Sequence, residues 1–468
     1  MSTKDQIISW MRGTNISSKP QVYFLGIGGI GMSALARYFY AKGAIVGGYD
    51  KTKTVLTEQL ISEGIDVSFE DDINLIPKNP DLVIFTPAIP KNHLGKKYYE
   101  EHSTLMAKRS EVLGWITAAS ANICVAGTHG KTTISTMTAH ILRDSSYGCH
   151  AFLGGIATNY GTNYWSSFAS NTVVVEADEY DRSFLRLSPS IAVISAMDPD
   201  HLDIYKTNEA FRDAFVEFAG LIKEEGKLFV NSKLESSLFP NKNKLTYGVD
   251  INADIRTNRL RIIDGAYHYD VVYPNGCIKD IVLNMGGWHN VENSLAAIAA
   301  ALELGISHEL IKKAIANFKG IKRRFEFAWK SKEGFVIDDY AHHPEELRAL
   351  IQGVEELYPN ENYLMVFQPH LFSRTKDQAA GFAEVLSRVP KLVLLPIYPA
   401  REEPIEGVTS EWLATLIQQP NHVEIVGKDN LLDYIQSNQI SKVVLAGAGD
   451  IDTCVQPIAH MLKQKYEA

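Results

Sequence analysis

The chain has 468 residues, of which 45% are hydrophobic and 22% are charged. This is the composition of a globular protein, which excludes a disordered or fibrous chain, and the length predicts about three domains. The formal net charge is −9 without a long block of one sign, so nucleic acid is not expected as a partner. Scattered cysteines, the lack of a signal-peptide pattern and the lack of a long apolar run lead us to expect a cytoplasmic protein without a disulfide framework or a membrane partner.

The first predicted unit is a strand, a glycine turn and a helix. A buried-strand pattern at residues 22–25 is followed by the turn 26–31 and by a helix pattern at 32–42. Gly26, Gly28 and Gly31 have the G-x-G-x-x-G spacing, and Asp50 follows the next strand, as in a dinucleotide-binding unit. The glycines only let a pyrophosphate approach backbone N–H groups at a helix start, so a UDP-sugar fits this turn as well as NAD does.

A second nucleotide-type unit begins with a buried strand at residues 123–126. It runs into Gly127-Thr-His-Gly-Lys-Thr-Thr133 and then into a helix pattern at 134–143. This glycine turn is a short form of the phosphate-binding loop, since Val125 stands where the full motif has glycine. Lys131 is predicted to contact the β and γ phosphates of ATP, and the Thr132 hydroxyl is placed for Mg²⁺. A dehydrogenase does not need such a second loop, so NAD is the weaker reading of the first turn.

Polar residues follow the later strands of this unit. Glu176 ends a strand pattern at 172–176, where nucleotide folds place Mg²⁺ ligands. His201 lies among carboxylates at 198–203, which predicts a second divalent site; a solvated acidic loop is the alternative. His289, Asn290 and Asn293 open an alanine-rich helix, where they would either bond a purine edge or cap the helix.

A third unit follows from about residue 331, with strand patterns at 334–338, 363–367, 392–395 and 443–445. Arg323 and Arg324 precede it and are suited either to phosphate charge or to surface ion pairs. Loops at the ends of its strands carry the run 338–344 and the pair His370 and Arg374, and ligands bind at such strand ends in open α/β sheets. We therefore expect an α/β protein with domains at 1–119, 120–330 and 331–468.

Taken together, the motifs resemble those of the Mur ligase family over nearly the whole chain. The resemblance implies a Rossmann-like N-terminal domain for a UDP-sugar, a central P-loop ATPase-like domain and a Rossmann-like C-terminal domain that closes over an amino acid. It rests, in order, on Gly26 to Ser33, Gly127 to Thr133, Glu176-Ala-Asp-Glu, Asp200-His-Leu-Asp203, His289-Asn-x-x-Asn293, Arg323-Arg-Phe-Glu326, Asp338 to Pro344 and Phe367-Gln-Pro-His370.

The resemblance also implies a reaction, with ATP and Mg²⁺ as cofactors and small molecules as partners. ATP would phosphorylate the lactyl carboxylate of UDP-N-acetylmuramate to an acyl phosphate. The amine of L-alanine would then attack it, which leaves an amide and releases phosphate in peptidoglycan precursor synthesis. Carboxylate and γ-phosphate repel each other, so cations and a closed site must cancel their charge first.

The resemblance also implies roles for individual residues of this chain. Thr132 and Glu176 would hold the first metal ion and His201 the second. Lys131, Glu176, His201, His342 and Arg374 are the expected catalytic residues. UDP-sugar binding is expected at Gly26, Gly28, Gly29, Gly31, Met32, Ser33 and Asp50. ATP binding is expected at Gly127, Thr128, His129, Gly130, Lys131, Thr132, Thr133, His289, Asn290, Asn293, Arg324 and Asp339. The amino-acid pocket is expected from Tyr340, His342, His370 and Arg374.

Two departures and three rival functions accompany this expectation. Leu371 and Phe372 stand where alanine-adding members often carry arginine and tyrosine, and Phe215 and Phe218 lie on a helix that bears a carbamylated lysine in sibling ligases, so no carbamate is expected. The nearest rival is a recycling ligase that joins a murein tripeptide to the same UDP-sugar. Rivals of other classes are an NAD-dependent dehydrogenase and an ATP-driven switch. The oligomeric state is left open by the sequence.

Overall fold

The structure, a computed structural model, describes residues 2–13, 19–167, 170–198, 202–400, 402–418 and 423–467. The predicted metal ligand His201 lies outside these residues. Within them the chain forms three sheets of five, ten and six strands, which follow one another along the sequence. The expected α/β architecture is confirmed.

The N-terminal sheet is parallel, and its two central strands, at 21–25 and 82–85, are largely apolar runs buried on both faces, as expected when helices cover the two sides. Its elements are α1 (Thr3–Met11), β1 (Gln21–Leu25), α2 (Ile30–Ala41), β2 (Ile45–Tyr49), α3 (Val55–Ser62), β3 (Asp66–Ser68), β4 (Leu82–Phe85), α4 (Leu94–Glu101), β5 (Met106–Lys108) and α5 (Arg109–Ala119). The strand order is β3-β2-β1-β4-β5. From β1 the chain first adds β2 and β3 on one side and then returns to add β4 and β5 on the other side. The glycine turn after β1 therefore lies at the switch point in strand order, where such sheets bind ligands.

The central sheet has parallel strands in its middle and antiparallel strands at both edges. Its first elements are β6 (Asn122–Ala126), α6 (Lys131–Asp144), β7 (His150–Ala157), β8 (Thr162–Trp165), β9 (Val173–Ala177), β10 (Ile191–Ile194), α7 (Leu202–Tyr205) and α8 (Asn208–Gly220). They are followed by β11 (Lys227–Asn231), β12 (Lys244–Gly248), β13 (Ile255–Ile263), β14 (Ala266–Tyr273), β15 (Gly276–Leu283), α9 (Trp288–Glu303) and α10 (His308–Asn317). In the order β15-β14-β13-β12-β11-β10-β6-β9-β7-β8, strand β6 lies between β10 and β9, so the loops after all three strands meet at one edge.

The C-terminal sheet has the order β16-β17-β21-β18-β19-β20 and is parallel except for the pair β16–β17. Its elements are β16 (Glu326–Lys330), β17 (Phe335–Asp339), α11 (Pro344–Leu357), β18 (Leu364–Phe367), α12 (Phe372–Asp377), α13 (Ala379–Leu386), β19 (Lys391–Leu394), α14 (Ser410–Leu416), β20 (Val423–Ile425), α15 (Leu431–Ser437), β21 (Lys442–Ala446) and α16 (Val455–Glu467). Because β16 pairs with β17, this sheet begins upstream of the boundary expected at residue 331.

Short 3₁₀ turns complete the described chain. They lie at Ile73–Leu75, Tyr180–Arg186, Ser236–Leu238, Lys428–Asn430 and Asp450–Cys454. The described residues include no helix with both the length and the apolar character needed to cross a bilayer.

Buried contacts join each sheet to the next. Tyr38 of α2 packs on Phe152 of β7 with ring centroids 5.3 Å apart. Beside it, Arg37 donates to the buried Asn163 of β8 at 2.9 Å. At the second junction the ring of Phe325 packs directly against Gly286, just before α9. These contacts fix where the glycine turn after β1 lies relative to the loop after β6, and where the C-terminal sheet lies relative to both.

Candidate active site

The loop between β6 and α6 is shaped by two glycines in backbone conformations that other residues rarely adopt. Gly127 has φ +140° and Gly130 has φ +82°. A Cβ atom on Gly130 would lie 2.6 Å from Oδ1 of Asn293, and one on Gly127 would clash with Ser195. Helix α6 then begins at Lys131. Its first N–H groups have no partner within the helix, so the loop has the geometry of a phosphate-binding turn.

The remaining loop residues differ in exposure. Thr128 Oγ1 accepts a hydrogen bond from the Asp198 backbone N–H at 3.2 Å. The His129 side chain is 75% exposed and lies 3.6 Å from the Asp198 carboxylate, so it is free to turn toward a ligand. Thr133 is buried in the first turn of α6. Of these residues, Thr128 and His129 are therefore the ones whose side chains reach the open side of the loop.

Lys131 is held by a buried carboxylate. Its Nζ lies 2.7 Å from the Gly127 carbonyl oxygen and 2.9 Å and 2.8 Å from the two carboxylate oxygens of Glu179. Side-chain exposure is 16% for Lys131 and 2% for Glu179. The ammonium is thus anchored at the base of the loop, with one side left for an incoming phosphate.

Thr132 and Glu176 form an oxygen-rich corner beside the loop. The Thr132 hydroxyl donates to Glu176 Oε1 at 2.8 Å, and Glu176 Oε2 accepts from the Gly154 N–H at 2.7 Å. Burial raises the pKa of the Glu176 carboxyl, and the hydrogen bond from Thr132 opposes this rise. Hydroxyl and carboxylate oxygens suit Mg²⁺, which takes few protein ligands when a nucleotide phosphate supplies others. This pair fits the predicted first metal ion, whereas the predicted ligand His201 lies outside the described residues.

The polar residues that open α9 lie next to the phosphate loop. The helix begins after Gly287, which provides no side-chain cap. Asn290 donates to the Gly286 carbonyl at 2.7 Å, and Asn293 donates to Asn290 Oδ1 at 3.1 Å. His289 is exposed. The capping alternative is therefore not seen, because both amides donate to oxygens instead of accepting from the free N–H groups of the first turn.

Arg324 and Asp339 lie where the C-terminal sheet meets the central one. Asp339 accepts backbone hydrogen bonds from Phe325 at 2.7 Å and Ala341 at 2.8 Å, which fixes its carboxylate at the end of β17. Burial raises the pKa of Asp339 to about 6. The positive charge of the exposed Arg324 opposes the rise in pKa at both Glu176 and Asp339. Arg324 is therefore near the carboxylates of both sheets.

The four residues of the expected amino-acid pocket lie in a row. Arg374 Nη1 is 3.2 Å from His370 Nδ1, and the His370 ring is 6.1 Å from the His342 ring. The Tyr340 ring follows at 5.3 Å from His342 and is 45% exposed. Burial lowers the pKa of His370, with further lowering by Arg374 and His342. The structure thus brings together a guanidinium and two imidazoles at the ends of β17 and β18.

The glycine turn after β1 is closely packed by neighbouring side chains. Gly26 has φ +88°, and a Cβ atom on Gly28 would lie 2.6 Å from Thr57. Asp50 accepts the Gly28 N–H at 2.7 Å, so it occupies the turn in this structure. Gly29 and Gly31 begin α2. The predicted pyrophosphate contact at these positions stays a prediction, and it would require the Asp50 carboxylate to release the Gly28 N–H.

Met32 and Ser33, which follow this turn, differ in where their side chains lie. Both are buried, and Ser33 Oγ donates to the Ile30 carbonyl at 3.0 Å. Asn163 of the central sheet donates to the same hydroxyl at 3.4 Å. The Ser33 side chain packs inside the junction between the first two sheets, so a contact with UDP-sugar is left to its backbone, whereas Met32 Cγ lies 3.8 Å from the position of a Cβ atom on Gly29.

Two functional candidates were missed from the sequence. Glu179, the partner of Lys131, stands in the motif that begins with Glu176, but only the first carboxylate of that motif was assigned a role. Arg109 is the first residue of α5 and lies against Gly31, with Nη1 2.6 Å from the position of a Cβ atom there. The feature that could have identified Arg109 from the sequence is its position directly after a short strand.

Comparison with known protein families supports the arrangement of the three sheets. Residues 21–121 match the model described as "Mur ligase family, catalytic domain". Residues 125–301 match "Mur ligase middle domain", and residues 323–449 match "Mur ligase, glutamate ligase domain". The matches are consecutive and cover all three sheets.

Individual relatives extend over almost the whole chain. UDP-N-acetylmuramate--L-alanine ligase of Flavobacterium johnsoniae is 48% identical over 96% of this chain and 99% of its own length. The protein of the same name from Porphyromonas gingivalis is 47% identical over 95% of this chain and 99% of its own. The crystal structure of UDP-N-acetylmuramate-alanine ligase from Thermotoga maritima has a TM-score of 0.77 at 28% identity and covers 95% of this chain and 100% of that one. The chain belongs to the Mur ligase family.

Proposed function

We propose that this protein joins L-alanine to UDP-N-acetylmuramate in an ATP-dependent reaction of peptidoglycan precursor synthesis. The observation that carries the proposal is that Arg109 joins two of the predicted ligand sites. Arg109 contacts the turn after β1 on one side and lies 3.8 Å from Asp178, in the loop after β9, on the other. The charge of Arg324 acts on the carboxyls of both Glu176 and Asp339, which supports a place for the C-terminal sheet beside these two sites. The relatives named above are described as alanine ligases, which favours this acceptor.

In this proposal the central sheet binds ATP and Mg²⁺. The N–H groups of the loop 127–133 and the ammonium of Lys131 would hold the phosphates, with His289, Asn290 and Asn293 beside the nucleoside. Thr132 and Glu176 would hold Mg²⁺, and His201 is the expected ligand of a second ion. When bound, Mg²⁺ supplies positive charge that offsets the charge on the transferring phosphate.

The other two sheets bring the reacting groups to that phosphate. The turn after β1 would hold the diphosphate of the UDP-sugar at the start of α2, so that the sugar's lactyl carboxylate faces Glu176. Arg374 would bind the carboxylate of L-alanine, because a guanidinium matches a carboxylate in geometry and charge. His342 and His370 would border the amine. The lowered pKa of His370 suits this position, since the amine must lose a proton to attack.

An acceptor screen tests the proposal. Phosphate release is measured with ATP, Mg²⁺ and UDP-N-acetylmuramate, with L-alanine in one series and L-alanyl-γ-D-glutamyl-diaminopimelate in the other. We expect L-alanine to be preferred, and preference for the tripeptide would identify a recycling ligase instead. ATP hydrolysis that is indifferent to the UDP-sugar would indicate a switch, and nicotinamide binding in a fluorescence titration would indicate a dehydrogenase. A cytoplasmic location, as expected from the sequence, is part of this proposal.

A further inference from the structure

An arginine without an assigned role lies between the turn after β1 and the corner formed by Thr132 and Glu176. Arg109 begins α5, directly after the edge strand β5 of the N-terminal sheet. Its guanidinium covers Gly31 in the first turn of α2, where even a methyl group would clash with it. On its other side a small cleft is lined by Glu176, Asp178 and Ser183 of the central sheet. Arg109 therefore faces both halves of the site.

The hydrogen-bonding capacity of Arg109 is unused in this structure. No hydrogen bond from its side chain to another described residue is found, and its nearest charged group is the Asp178 carboxylate at 3.8 Å. The side chain is 33% exposed. By contrast, Lys131 has its ammonium bonded to Glu179 and Gly127. Arg109 is thus the cation on the sugar side of the cleft whose N–H groups are available to a ligand.

We propose that Arg109 binds an anionic oxygen group of the nucleotide sugar, which is either its diphosphate or its lactyl carboxylate. This inference rests on the proposed function, because it takes the ligand of the turn after β1 to be a UDP-sugar. A guanidinium forms paired hydrogen bonds with carboxylate and phosphate oxygens alike. The N-terminus of α2 beside it adds a further attraction for negative charge. Arg109 would then hold the sugar donor where its carboxylate can approach the Glu176 corner.

The alternative to ligand binding is a purely structural role, in which Arg109 joins α5 to the loop after β9. As a tether between α5 and the loop after β9, it would act through Asp178, and a partly exposed pair at 3.8 Å contributes little. The same two segments are joined by a second ion pair, in which Arg186 lies 3.3 Å from Glu111. Arg186 lies outside the cleft lining and contacts α5 elsewhere, so it provides a matched control.

The test measures binding of three ligands by titration calorimetry without ATP. The ligands are UDP-N-acetylmuramate, UDP-N-acetylglucosamine, which keeps the diphosphate but lacks the lactyl carboxylate, and UDP. They are titrated into the wild type, Arg109→Ala, Arg109→Lys and the control Arg186→Ala. We expect Arg109→Ala to weaken binding of UDP-N-acetylmuramate roughly tenfold to hundredfold, the range for a lost hydrogen bond to a charged group. Arg109→Lys should recover part of this loss, and Arg186→Ala should bind like the wild type.

The loss of affinity for each of the three ligands shows whether Arg109 binds the diphosphate or the lactyl carboxylate. Equal weakening for all three ligands assigns Arg109 to the diphosphate, and weakening confined to UDP-N-acetylmuramate assigns it to the lactyl carboxylate. Wild-type affinity in both Arg109 variants, or an equal loss in Arg186→Ala, overturns the inference while the proposed function stands. A wild-type protein that binds none of the three ligands overturns the proposed function and this role with it.

Discussion

Replacing Lys131 with alanine should affect stability as well as catalysis. Lys131 contacts both carboxylate oxygens of Glu179, whose side chain is 2% exposed. When one partner of a buried ion pair is removed, the other charge is left uncompensated, at a cost of about 3–5 kcal/mol. We therefore expect Lys131→Ala to lower the free energy of local unfolding around α6 and β9 by about that amount. Loss of turnover in this variant alone would not isolate the role of Lys131 in phosphate binding.

A double-mutant cycle separates the two effects. The variants are Lys131→Ala, Glu179→Gln and the double variant, and the assay is native-state hydrogen exchange of the amides in α6 and β9, which reports the free energy of local opening. The double variant removes both charges, so no charge is left buried and unpaired. We expect it to be more stable than Lys131→Ala by about 2 kcal/mol, within the usual range of coupling between residues in contact.

Turnover in the double variant then reports on the cation alone. Without the Lys131 ammonium the transferring phosphate loses a fixed positive charge, and we expect turnover to fall by at least about a hundredfold while UDP-sugar binding persists. Local opening in Lys131→Ala within about 0.5 kcal/mol of wild type would refute the reasoning about the buried pair. Near wild-type turnover in the double variant would refute the assignment of Lys131 to the phosphate.

Three further substitutions test separate parts of the structure. Asn163→Ala removes a buried partner of Arg37 and should cost about 1–3 kcal/mol in urea unfolding, whereas an unchanged midpoint would mean that this junction is absent in solution. Gly130→Ala introduces a Cβ atom at φ +82° and 2.6 Å from Asn293 Oδ1, so the KM for ATP should rise; an unchanged KM would contradict the loop geometry. Burial raises the pKa of Asp338 to about 7 from 3.8, so between these values the folded state keeps a proton that the unfolded state releases. The free energy of unfolding should therefore fall as the pH is raised from about 4 to about 7. Asp338→Asn should reduce this slope in unfolding measured against pH, with the remainder coming from groups such as Asp339, and an unchanged slope would assign it entirely to those other groups.

The features predicted correctly from the sequence depend on short-range patterns. A buried strand followed by glycines and a helix is a local signal, and it located β1, β6 and the helices after them to within a few residues. Glycine at 127 and 130 is required by backbone angles that any sequence with this turn must satisfy. Several other parallel strands, among them β9, β17, β18, β19 and β21, were found for the same reason, since strands buried on both faces are continuous apolar runs. The parallel strands β3, β5, β7, β12 and β20 were not predicted.

The features that were missed depend on contacts between distant parts of the chain. Strands β13, β14 and β15 form an antiparallel edge that was not predicted, and in β13 only Ile255 is buried. Arg37 and Asn163 are 126 residues apart, so no local pattern connects them. Arg109 lies between Gly31 of α2, in the N-terminal domain, and Asp178, in the loop after β9 of the central domain. Sequence periodicity reports which face of an element is buried, but it does not report which element covers that face.

The amino-acid pocket illustrates how a sequence departure acts through the backbone. Leu371 has φ +70°, a conformation that is costly for a branched side chain, and it directly precedes α12. Its N–H donates to the Tyr398 carbonyl at 2.9 Å, and its carbonyl accepts from the Thr375 hydroxyl at 2.7 Å, which holds the strained turn in place. This turn puts His370 just before the helix and Arg374 in it, so that the two side chains meet. The Tyr398 ring stacks on His370 at 5.7 Å. Because backbone bonds and Tyr398 set this geometry, leucine at position 371 is compatible with an alanine pocket.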